Sequence, residues 1–238
     1  MIGGTTSLVG LLRDPKVGSL SPRMQNAAFA ARALDYAYVP LGVPPERLEE
    51  GVRGLVALGF AGANVTTPHK EAVVPLCEEV ENGARSVNTL VIRDGGVVGS
   101  STDTAALGDR RPARAAVIGG GGAATAWIAE LEARGASVAA YARSGEWPPR
   151  TEDAELVVHA TPVKDELLFQ PIHGQAVIDL AYRVEGGETA LAAAARSAGS
   201  ELLDGLDVLV AQGAASFERW TGLPAPVDVM RAAVRSGA

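Results

Sequence analysis

The chain contains Val117-Ile118-Gly119-Gly120-Gly121-Gly122-Ala123-Ala124, a glycine run between an apolar strand pattern and a helical pattern. Gly119, Gly121 and Ala124 fit G-x-G-x-x-A. In this pattern the first glycine permits a tight turn, the second lets the backbone approach a pyrophosphate, and the third small residue lets the helix pack on the strand. The N-terminus of the helix then offers free N–H groups to phosphates. The segment predicts a Rossmann-like unit whose cofactor is held by Gly119, Gly120, Gly121, Gly122, Ala123 and Ala124.

The residues that follow the next predicted strand, 137–141, indicate which dinucleotide is bound. An NAD site usually has an acidic residue here, which binds the ribose hydroxyls. This chain has Arg143 and Ser144 instead. A guanidinium suits a 2′-phosphate through its charge and its planar donors, so the sequence predicts NADP. A solvated surface arginine is the alternative, and Glu146 nearby favours it because a carboxylate would repel the phosphate.

On both sides of the glycine run, strand patterns alternate with helix patterns, which is typical of parallel α/β sheets. A polar break at Arg110-Arg111-Pro112 separates two such blocks, before and after about residue 105. A cleft between two α/β blocks is a favoured place for a ligand. The predicted strands are residues 7–12, 36–41, 61–65, 115–118, 137–141, 155–160 and 176–180, with a hairpin over 87–100 and a helix that runs from the Lys70 segment to about Val80.

The composition excludes several classes of protein. The 238 residues are 47% hydrophobic and 21% charged, close to the globular norm, so wholesale disorder is excluded. The net charge of −7 argues against nucleic-acid or membrane-surface binding, because both targets are polyanionic. Cys77 is the single cysteine, and His69, His159 and His173 lack ligand spacing, so neither a disulfide nor a metal site is predicted. No signal peptide or membrane span is recognised, and the expected location is the cytoplasm.

Neutral polar residues follow the predicted strands of the first block. Ser19 and Ser21 lie between a strand and a helix, Thr66 leaves the third strand, and Asn88 and Thr102 flank the hairpin. Ligands of open α/β sheets bind beyond the carboxyl ends of the strands, so these side chains could form a ring around a polyhydroxylated ligand. Each also has an ordinary structural explanation, such as an N-cap or a turn.

Lys70 and Asp103 are the charged residues of this group. A lysine beside a carboxylate in a partly closed cleft can exchange a proton with a reacting oxygen. The alternative is a surface lysine on the first turn of a helix and an N-cap aspartate.

Together these motifs resemble the shikimate dehydrogenase family. They occur in the family's order over nearly the whole chain, and the Asn-Val-Thr-x-Pro-x-Lys run is quite specific to this family. The stretches that carry the resemblance are Ser19-Leu20-Ser21-Pro22, Asn64-Val65-Thr66-Thr67-Pro68-His69-Lys70, Ser86-Val87-Asn88-Thr89-Leu90, Thr102-Asp103, the glycine run, and Asp204-Gly205-Leu206-Asp207-Val208-Leu209-Val210-Ala211-Gln212.

The resemblance implies a reversible, NADPH-dependent reduction of 3-dehydroshikimate to shikimate, on the route to aromatic amino acids. It implies that Lys70 and Asp103 form the catalytic pair and that Ser19 and Ser21 hold the substrate carboxylate. The substrate hydroxyls then meet Thr66, Lys70, Asn88, Asp103 and Gln212, Tyr182 lies near the carboxylate, Gly205 lies near the nicotinamide, and Thr161 belongs to the cofactor loop. Since Gln212 joins the substrate residues, we predict a substrate-binding domain of residues 1–104 plus 206–238 and an NADP-binding domain of residues 105–205.

The chain departs from the family pattern in the cofactor-binding half. The second basic residue often found after Arg143 is missing, and Glu146-Trp147-Pro148-Pro149 stands there. The family's Asn-Ala-Thr run reads His159-Ala160-Thr161, and the segment between Arg143 and Glu155 is short. The alternatives are a quinate or dual quinate/shikimate dehydrogenase that uses NAD, and a non-catalytic dinucleotide-sensing protein on the same fold. We expect a small-molecule substrate, no nucleic-acid or membrane partner, and a monomer or homodimer.

Overall fold

The computed structural model of the chain describes residues 2–16 and 18–236 and divides into two compact units. One unit is built from Met1–Thr102 and Val210–Ser236, the other from Asp103–Leu209. Each unit has its own β-sheet with helices, which confirms the prediction of an α/β fold with two α/β blocks.

The first unit contains a six-stranded mixed sheet. Its strands are β1 (Ser7–Arg13), β2 (Tyr36–Gly42), β3 (Gly62–Val65), β4 (Glu79–Val80), β5 (Thr89–Arg93) and β6 (Gly96–Ser100), in the order β2-β1-β3-β5-β6-β4. β1 pairs in parallel with β2 and β3, whereas β3 and β5 are antiparallel. The hairpin of β5 and β6 forms as predicted, because Asp94 and Gly95 both adopt the positive φ that a tight two-residue turn requires.

Five α-helices of the described residues accompany this sheet: α1 (Ser21–Ala31), α2 (Leu48–Ala57), α3 (His69–Ala72), α6 (Gly205–Thr221) and α7 (Val227–Arg235), with α6 extending across the boundary between the units. Pro22 stands in the first turn of α1, where a missing N–H costs nothing. On α2, Leu48, Val52 and Leu55 recur at helical spacing and are buried in the core.

The predicted helix from Lys70 to about Val80 is wrong. The α-helix ends at Ala72, a single 3₁₀ turn covers Val74–Leu76, and Cys77 is extended before β4. Pro75 explains the difference, since proline has no N–H to donate and its ring clashes with the carbonyl of the preceding turn. Cys77, which falls within the range of the predicted helix, therefore lies in extended backbone.

Helix α6 is held in place by side-chain hydrogen bonds and by a glycine that lets its Trp220 ring pack closely on the first unit's sheet. The indole N–H of Trp220 donates to the carbonyl oxygen of Leu90 at 2.9 Å. A Cβ on Gly62 would lie 2.5 Å from the Trp220 indole nitrogen, so only glycine leaves room for the ring. On the side facing α1, Gln25 donates to the Gly213 carbonyl at 2.9 Å. These contacts fix the rotation of α6 and hence the direction of its polar side chains.

The second unit contains a five-stranded parallel sheet in the order β11-β10-β9-β7-β8. Its strands are β7 (Arg114–Ile118), β8 (Ser137–Tyr141), β9 (Leu156–His159), β10 (Ala176–Asp179) and β11 (Glu201–Leu203), and its helices are α4 (Gly122–Ala133) and α5 (Ala190–Ala198). The strands β4 and β11 are absent from the sequence-based prediction, because two or three residues are too few to show a period.

Two connections of the parallel sheet contain no helix. Residues 142–155 join β8 to β9, and residues 160–175 join β9 to β10, in irregular backbone. In the part of the chain that the structure describes, β8 pairs only with β7 and forms an edge of the sheet. Its residues Ser137, Ala139 and Ala140 are exposed. The second unit is thus a reduced α/β sheet, and its exposed edge strand β8 forms a bare edge.

Candidate active site

The glycine run lies at the point where the strand order of the parallel sheet reverses. From β7 the chain passes through α4 to β8 on one side, and β9 then lies on the other side of β7. Such a switch point leaves a crevice at the carboxyl ends of the strands, where ligands of open α/β sheets bind. The Gly119 N–H donates to the Tyr141 carbonyl, and the Ala160 N–H donates to the Ile118 carbonyl, both at 2.8 Å. The ends of β7, β8 and β9 therefore meet at the glycine run.

The glycines of this run have different surroundings. Gly119 has φ +147°, and a Cβ on it would lie 2.5 Å from the Ala160 carbonyl oxygen. A Cβ on Gly120 would be 3.4 Å from the Ala142 Cβ, while a Cβ on Gly121 would have no atom within 4 Å. The turn is therefore closed against the sheet at Gly119 and open at Gly121, immediately before α4 begins. This opening beside the N–H groups of a helix terminus fits a pyrophosphate.

Arg143 and Ser144 lie just after β8, on one side of the glycine run. The Arg143 guanidinium is exposed, 3.3 Å from the Glu166 carboxylate and 5.7 Å from the centroid of the Trp147 ring. The carboxylate that neighbours Arg143 is thus Glu166 rather than Glu146. The guanidinium predicted to meet a 2′-phosphate is thus an exposed cation just after β8.

Thr161 lies on the opposite side of the run, just after β9. Its hydroxyl is 2.6 Å from Nε2 of His159, whose Nδ1 is 2.8 Å from an oxygen of Asp179. His159 and Asp179 are both buried. The described residues contain no group of three His, Cys, Asp or Glu side chains placed to bind a metal ion.

Tyr182 and Gly205 lie together at the ends of β10 and β11. A Cβ on Gly205 would be 2.2 Å from the Ala181 carbonyl oxygen and 3.0 Å from the Cβ of Tyr182. Only glycine lets the start of α6 approach Tyr182 so closely. The residue predicted to lie near the nicotinamide therefore contacts one predicted to lie near the substrate carboxylate.

In the first unit, the loop before α1 brings two predicted substrate residues together. The Ser19 hydroxyl donates to the Ser21 hydroxyl at 3.1 Å and also accepts the Ser21 backbone N–H at 3.1 Å. The pair forms a local cluster of hydroxyl groups at the carboxyl end of β1, and such a cluster can donate to a carboxylate.

Thr66, Lys70 and Asn88 are also brought together. The Thr66 N–H donates to the Leu12 carbonyl at 3.1 Å, which places Thr66 at the carboxyl ends of β1 and β3. Lys70 stands half-buried on α3, and its carbonyl accepts the N–H of Val87, the neighbour of Asn88, at 2.9 Å. His69 is buried and its Nε2 lies 2.8 Å from the Val43 carbonyl, which gives it a structural role.

The amide of Asn88 is held in one orientation. Its oxygen accepts the Thr102 N–H at 2.8 Å, the Thr102 hydroxyl at 3.1 Å and the Thr89 hydroxyl at 2.9 Å. Its NH₂ group lies 3.4 Å from the Gln212 side-chain oxygen. Asn88 and Gln212 are therefore neighbours, although 124 residues separate them in the chain. Asp103 follows Thr102 directly, is buried, and is the first residue of the second unit.

Sequence reasoning missed the residue that links these groups, Ser216. It is fully buried on α6, and its hydroxyl lies 2.8 Å from the Thr89 hydroxyl, 3.0 Å from the Asn64 amide nitrogen and 2.9 Å from the Gln212 carbonyl. Asn64 in turn accepts the Tyr38 hydroxyl at 2.8 Å. One signal was present in the sequence, because Gln212 and Ser216 are four residues apart and so share a helix face.

Two family profiles match the chain. Residues 14–90 match the shikimate dehydrogenase substrate binding domain, and residues 205–235 match the shikimate 5′-dehydrogenase C-terminal domain. A shikimate dehydrogenase (NADP(+)) from Anaeromyxobacter sp. (strain Fw109-5) is 41% identical over 276 aligned positions, which cover 98% of each chain. The alignment is longer than the 238 residues of this chain, so the relative contains insertions that this chain lacks.

Solved structures share the fold over the same extent. The crystal structure of shikimate dehydrogenase from Aquifex aeolicus is 30% identical, with a TM-score of 0.88 and coverage of 99% of this chain and 100% of that one. Shikimate 5-dehydrogenase from Thermus thermophilus, in complex with NADP(H) and shikimate, is 27% identical, with a TM-score of 0.86 and coverage of 98% and 100%. Among the described residues, no helix has the length and hydropathy to cross a bilayer.

Proposed function

The chain belongs to the shikimate dehydrogenase family, and we infer that it catalyses the reversible, NADPH-dependent reduction of 3-dehydroshikimate to shikimate. The observation that carries this inference is the similarity, over 98% of both chains, to relatives named shikimate dehydrogenase (NADP(+)). The opening at Gly121 beside the start of α4 and the cation at Arg143 both fit a 2′-phosphorylated dinucleotide.

The cofactor, when bound, supplies the hydride, and the residues of this chain bind and orient the reactants and move the proton. We assign the pyrophosphate to Gly119, Gly120, Gly121, Gly122, Ala123 and Ala124, and the rest of the cofactor to Arg143, Ser144, Thr161 and Gly205. Reduction of a ketone builds negative charge on its oxygen. The ammonium group of Lys70 stabilises that charge and delivers the proton, and Asp103 orients the lysine.

The remaining polar residues bind the substrate ring. Ser19 and Ser21 donate hydrogen bonds to its carboxylate, near which Tyr182 also stands. Thr66, Asn88 and Gln212 bind the ring hydroxyls. The geometry supports this assignment for Asn88, because its oxygen is saturated by three donors while its NH₂ group faces Gln212. An amide held in this way keeps one orientation toward a substrate hydroxyl without reorganising.

The function is tested by measuring turnover of shikimate and of quinate, each with NADP⁺ and with NAD⁺. We expect the highest kcat/KM for shikimate with NADP⁺. A preference for quinate with NAD⁺ would instead show that the chain is a quinate dehydrogenase. Binding of NADP⁺ without turnover of either acid would show that the chain is a dinucleotide-sensing protein.

The catalytic pair is tested by Lys70→Ala. Loss of a positioned general acid should lower kcat by at least ~100-fold, with an unchanged unfolding midpoint. Glu71→Ala is the matched control, because Glu71 is the exposed neighbour of Lys70 on the same short helix. Near-normal turnover in Lys70→Ala, or an equal loss in Glu71→Ala, would remove Lys70 from the mechanism.

We also propose that the enzyme works in the cytoplasm, as its single, half-buried cysteine suits a reducing compartment. We propose that it is a monomer or a homodimer. Light scattering on the eluate of a sizing column distinguishes these two states from a larger assembly, which would contradict the proposal.

A further inference from the structure

A buried chain of hydrogen bonds leads from the parallel sheet to the predicted cofactor loop. It runs from Asp179 at the end of β10, through His159 at the end of β9, to the hydroxyl of Thr161. Asp179 is 0% exposed and His159 is 2% exposed. Burial of a carboxylate and an imidazole is costly unless both are well hydrogen-bonded. Apolar packing alone therefore does not explain why these two polar residues are buried here.

The carboxylate of Asp179 is held in a fixed position. One oxygen accepts the His159 ring at 2.8 Å and the Ala181 N–H at 3.0 Å, and the other accepts the Thr189 hydroxyl at 2.6 Å. Thr189 is also the N-cap of α5, where its hydroxyl accepts the Ala192 N–H. The carboxylate that faces His159 therefore has no freedom to rotate.

This fixed carboxylate determines which nitrogen of His159 carries the hydrogen. A carboxylate only accepts, so Nδ1 donates to Asp179, and when the ring carries this single N–H hydrogen Nε2 is an acceptor. The Thr161 hydroxyl, 2.6 Å from Nε2, must then donate its hydrogen to the ring. The N–H of Val163 donates to the Thr161 oxygen at 3.2 Å, which occupies one of its two lone pairs. The second lone pair remains, so towards a ligand Thr161 acts only as an acceptor.

Thr161 stands at the place where the half of a dinucleotide opposite the adenosine would bind. The carbonyl of Ala160, its neighbour, lies directly against Gly119. Arg143 follows β8 on one side of β7, whereas Thr161 follows β9 on the other. A dinucleotide whose pyrophosphate sits on the glycine run extends in both directions from it, so the nicotinamide riboside lies on the β9 side.

We propose that His159 is a positioning residue for cofactor binding, which keeps the Thr161 oxygen as an acceptor for an N–H or O–H donor on the nicotinamide riboside of NADP. This inference rests on the proposed function, since it takes the ligand to be that dinucleotide. His159 touches no ligand itself and acts through Thr161.

Two substitutions of His159 separate its two hydrogen bonds. The amide of Asn matches the Nδ1 side of the ring, so His159→Asn keeps the bond to Asp179 and removes the acceptor for Thr161. The longer Gln places an amide oxygen at the Nε2 position, so His159→Gln keeps that acceptor and loses the bond to Asp179. Thr161→Val removes the hydroxyl itself at nearly constant volume.

Dissociation constants for NADP⁺ are measured by titration calorimetry, with thermal unfolding midpoints for every variant. We expect His159→Asn and Thr161→Val each to weaken NADP⁺ binding by about 3- to 10-fold, the range for one lost neutral hydrogen bond. The double variant should bind like the single ones, because His159 acts through Thr161. His159→Gln should stay within about twofold of the wild type for NADP⁺, even if its midpoint falls through loss of the bond to Asp179.

Adenosine 2′,5′-bisphosphate, which lacks the nicotinamide riboside, is the ligand control and should bind all variants equally. Thr189→Val is the protein control, because it removes another partner of Asp179 without touching Thr161, so it should lower the midpoint and leave NADP⁺ binding unchanged. Equal weakening by His159→Asn and His159→Gln, additive losses in the double variant, or weaker binding of the bisphosphate would overturn the proposal. Turnover of shikimate by the wild type is recorded separately. Its absence would count against the proposed function, while the pattern of dissociation constants alone decides the role of His159.

Discussion

Gly119 and Gly121 stand two residues apart in the same turn, yet their surroundings differ. Gly119 has a positive φ and lies against the Ala160 carbonyl, whereas Gly121 has open space where a Cβ would project. An alanine at the first position is strained whether or not cofactor is bound. At the second position an alanine is harmless until a phosphate approaches the backbone.

The contrast predicts two different outcomes. Gly119→Ala should lower the free energy of unfolding by about 1–3 kcal/mol, because it combines an unfavourable φ with a backbone clash, and it should also weaken NADP⁺ binding. Gly121→Ala should leave stability within about 1 kcal/mol of the wild type and still weaken NADP⁺ binding by at least ~10-fold. Urea unfolding and cofactor titration measure both quantities. Normal NADP⁺ affinity in Gly121→Ala would mean that the pyrophosphate does not lie on this turn.

Cys77 provides a residue-scale prediction about pH. Burial raises the pKa of its thiol, since the thiolate is poorly solvated beside Val73 and Gly99. The neutral thiol is therefore favoured by folding, and the associated stability is present below the pKa of the unfolded chain and lost as the pH rises through the higher folded value. Alkylation by iodoacetamide at about pH 8 should be several-fold slower in the folded protein than in guanidinium, since only the thiolate reacts. Equal rates in the two states would show that the thiol is not shielded.

At the scale of elements, α6 connects the substrate residues to the sheet. Ser216 holds together Asn64, Thr89 and the Gln212 turn of the helix. Ser216→Ala should therefore lower the free energy of unfolding by about 1–3 kcal/mol, because it leaves buried donors without a partner. The KM for shikimate should rise more than kcat falls, since Gln212 loses its support. Ser236→Ala is the control, because that serine is exposed and its hydroxyl accepts a hydrogen bond from the exposed Arg23 side chain at 3.2 Å. Equal losses of stability in the two variants would contradict the role given to Ser216.

Much of the fold could be predicted from local pattern, and the failures have specific causes. A few consecutive residues are enough to predict two features: the strand–glycine–helix segment at Ile118–Ala123 and the Asp94-Gly95 turn. β4 and β11 are too short to show a period, and their pairing depends on neighbours elsewhere in the chain. The wrong prediction of a helix beyond Ala72 was avoidable, because Pro75 was visible in the sequence.

The candidate site divides in a similar way. The assignments of Lys70, Asp103 and the other substrate and cofactor residues come from motifs and remain predictions. The supporting residues Tyr38 and Ser216 lie in no quoted motif, because their partners stand on strands far away in sequence. Hydrogen bonds between residues so far apart follow from packing, and only the Gln212–Ser216 spacing on α6 was visible in the sequence.

At the scale of the whole molecule, the two compact units should respond separately to the two ligands. NADP⁺ alone should slow amide hydrogen exchange in the second unit, at the glycine run and the ends of β8 and β9. Shikimate alone should slow exchange chiefly in the first unit, around β3, β5 and the Gln212 part of α6. The reason is that a ligand stabilises the segments that bind it against local opening. Mass spectrometry of peptides reads both patterns, and equal protection of the first unit by NADP⁺ would count against the assignment of ligands to units.

The bare edge at β8 has a consequence for handling the protein in concentrated solution. Ser137–Tyr141 carries no charge that would discourage another strand from adding to it, so repulsion between molecules depends on the overall −7. That repulsion reaches about 10 Å in 0.1 M salt and only about 3 Å in 1 M salt. Dynamic light scattering should therefore show growth of the particles at high ionic strength, which Ala139→Lys suppresses. Crystallisation trials should therefore begin in buffer of low ionic strength. Unchanged particle size across the salt series would show that the β8 edge is already protected against strand addition.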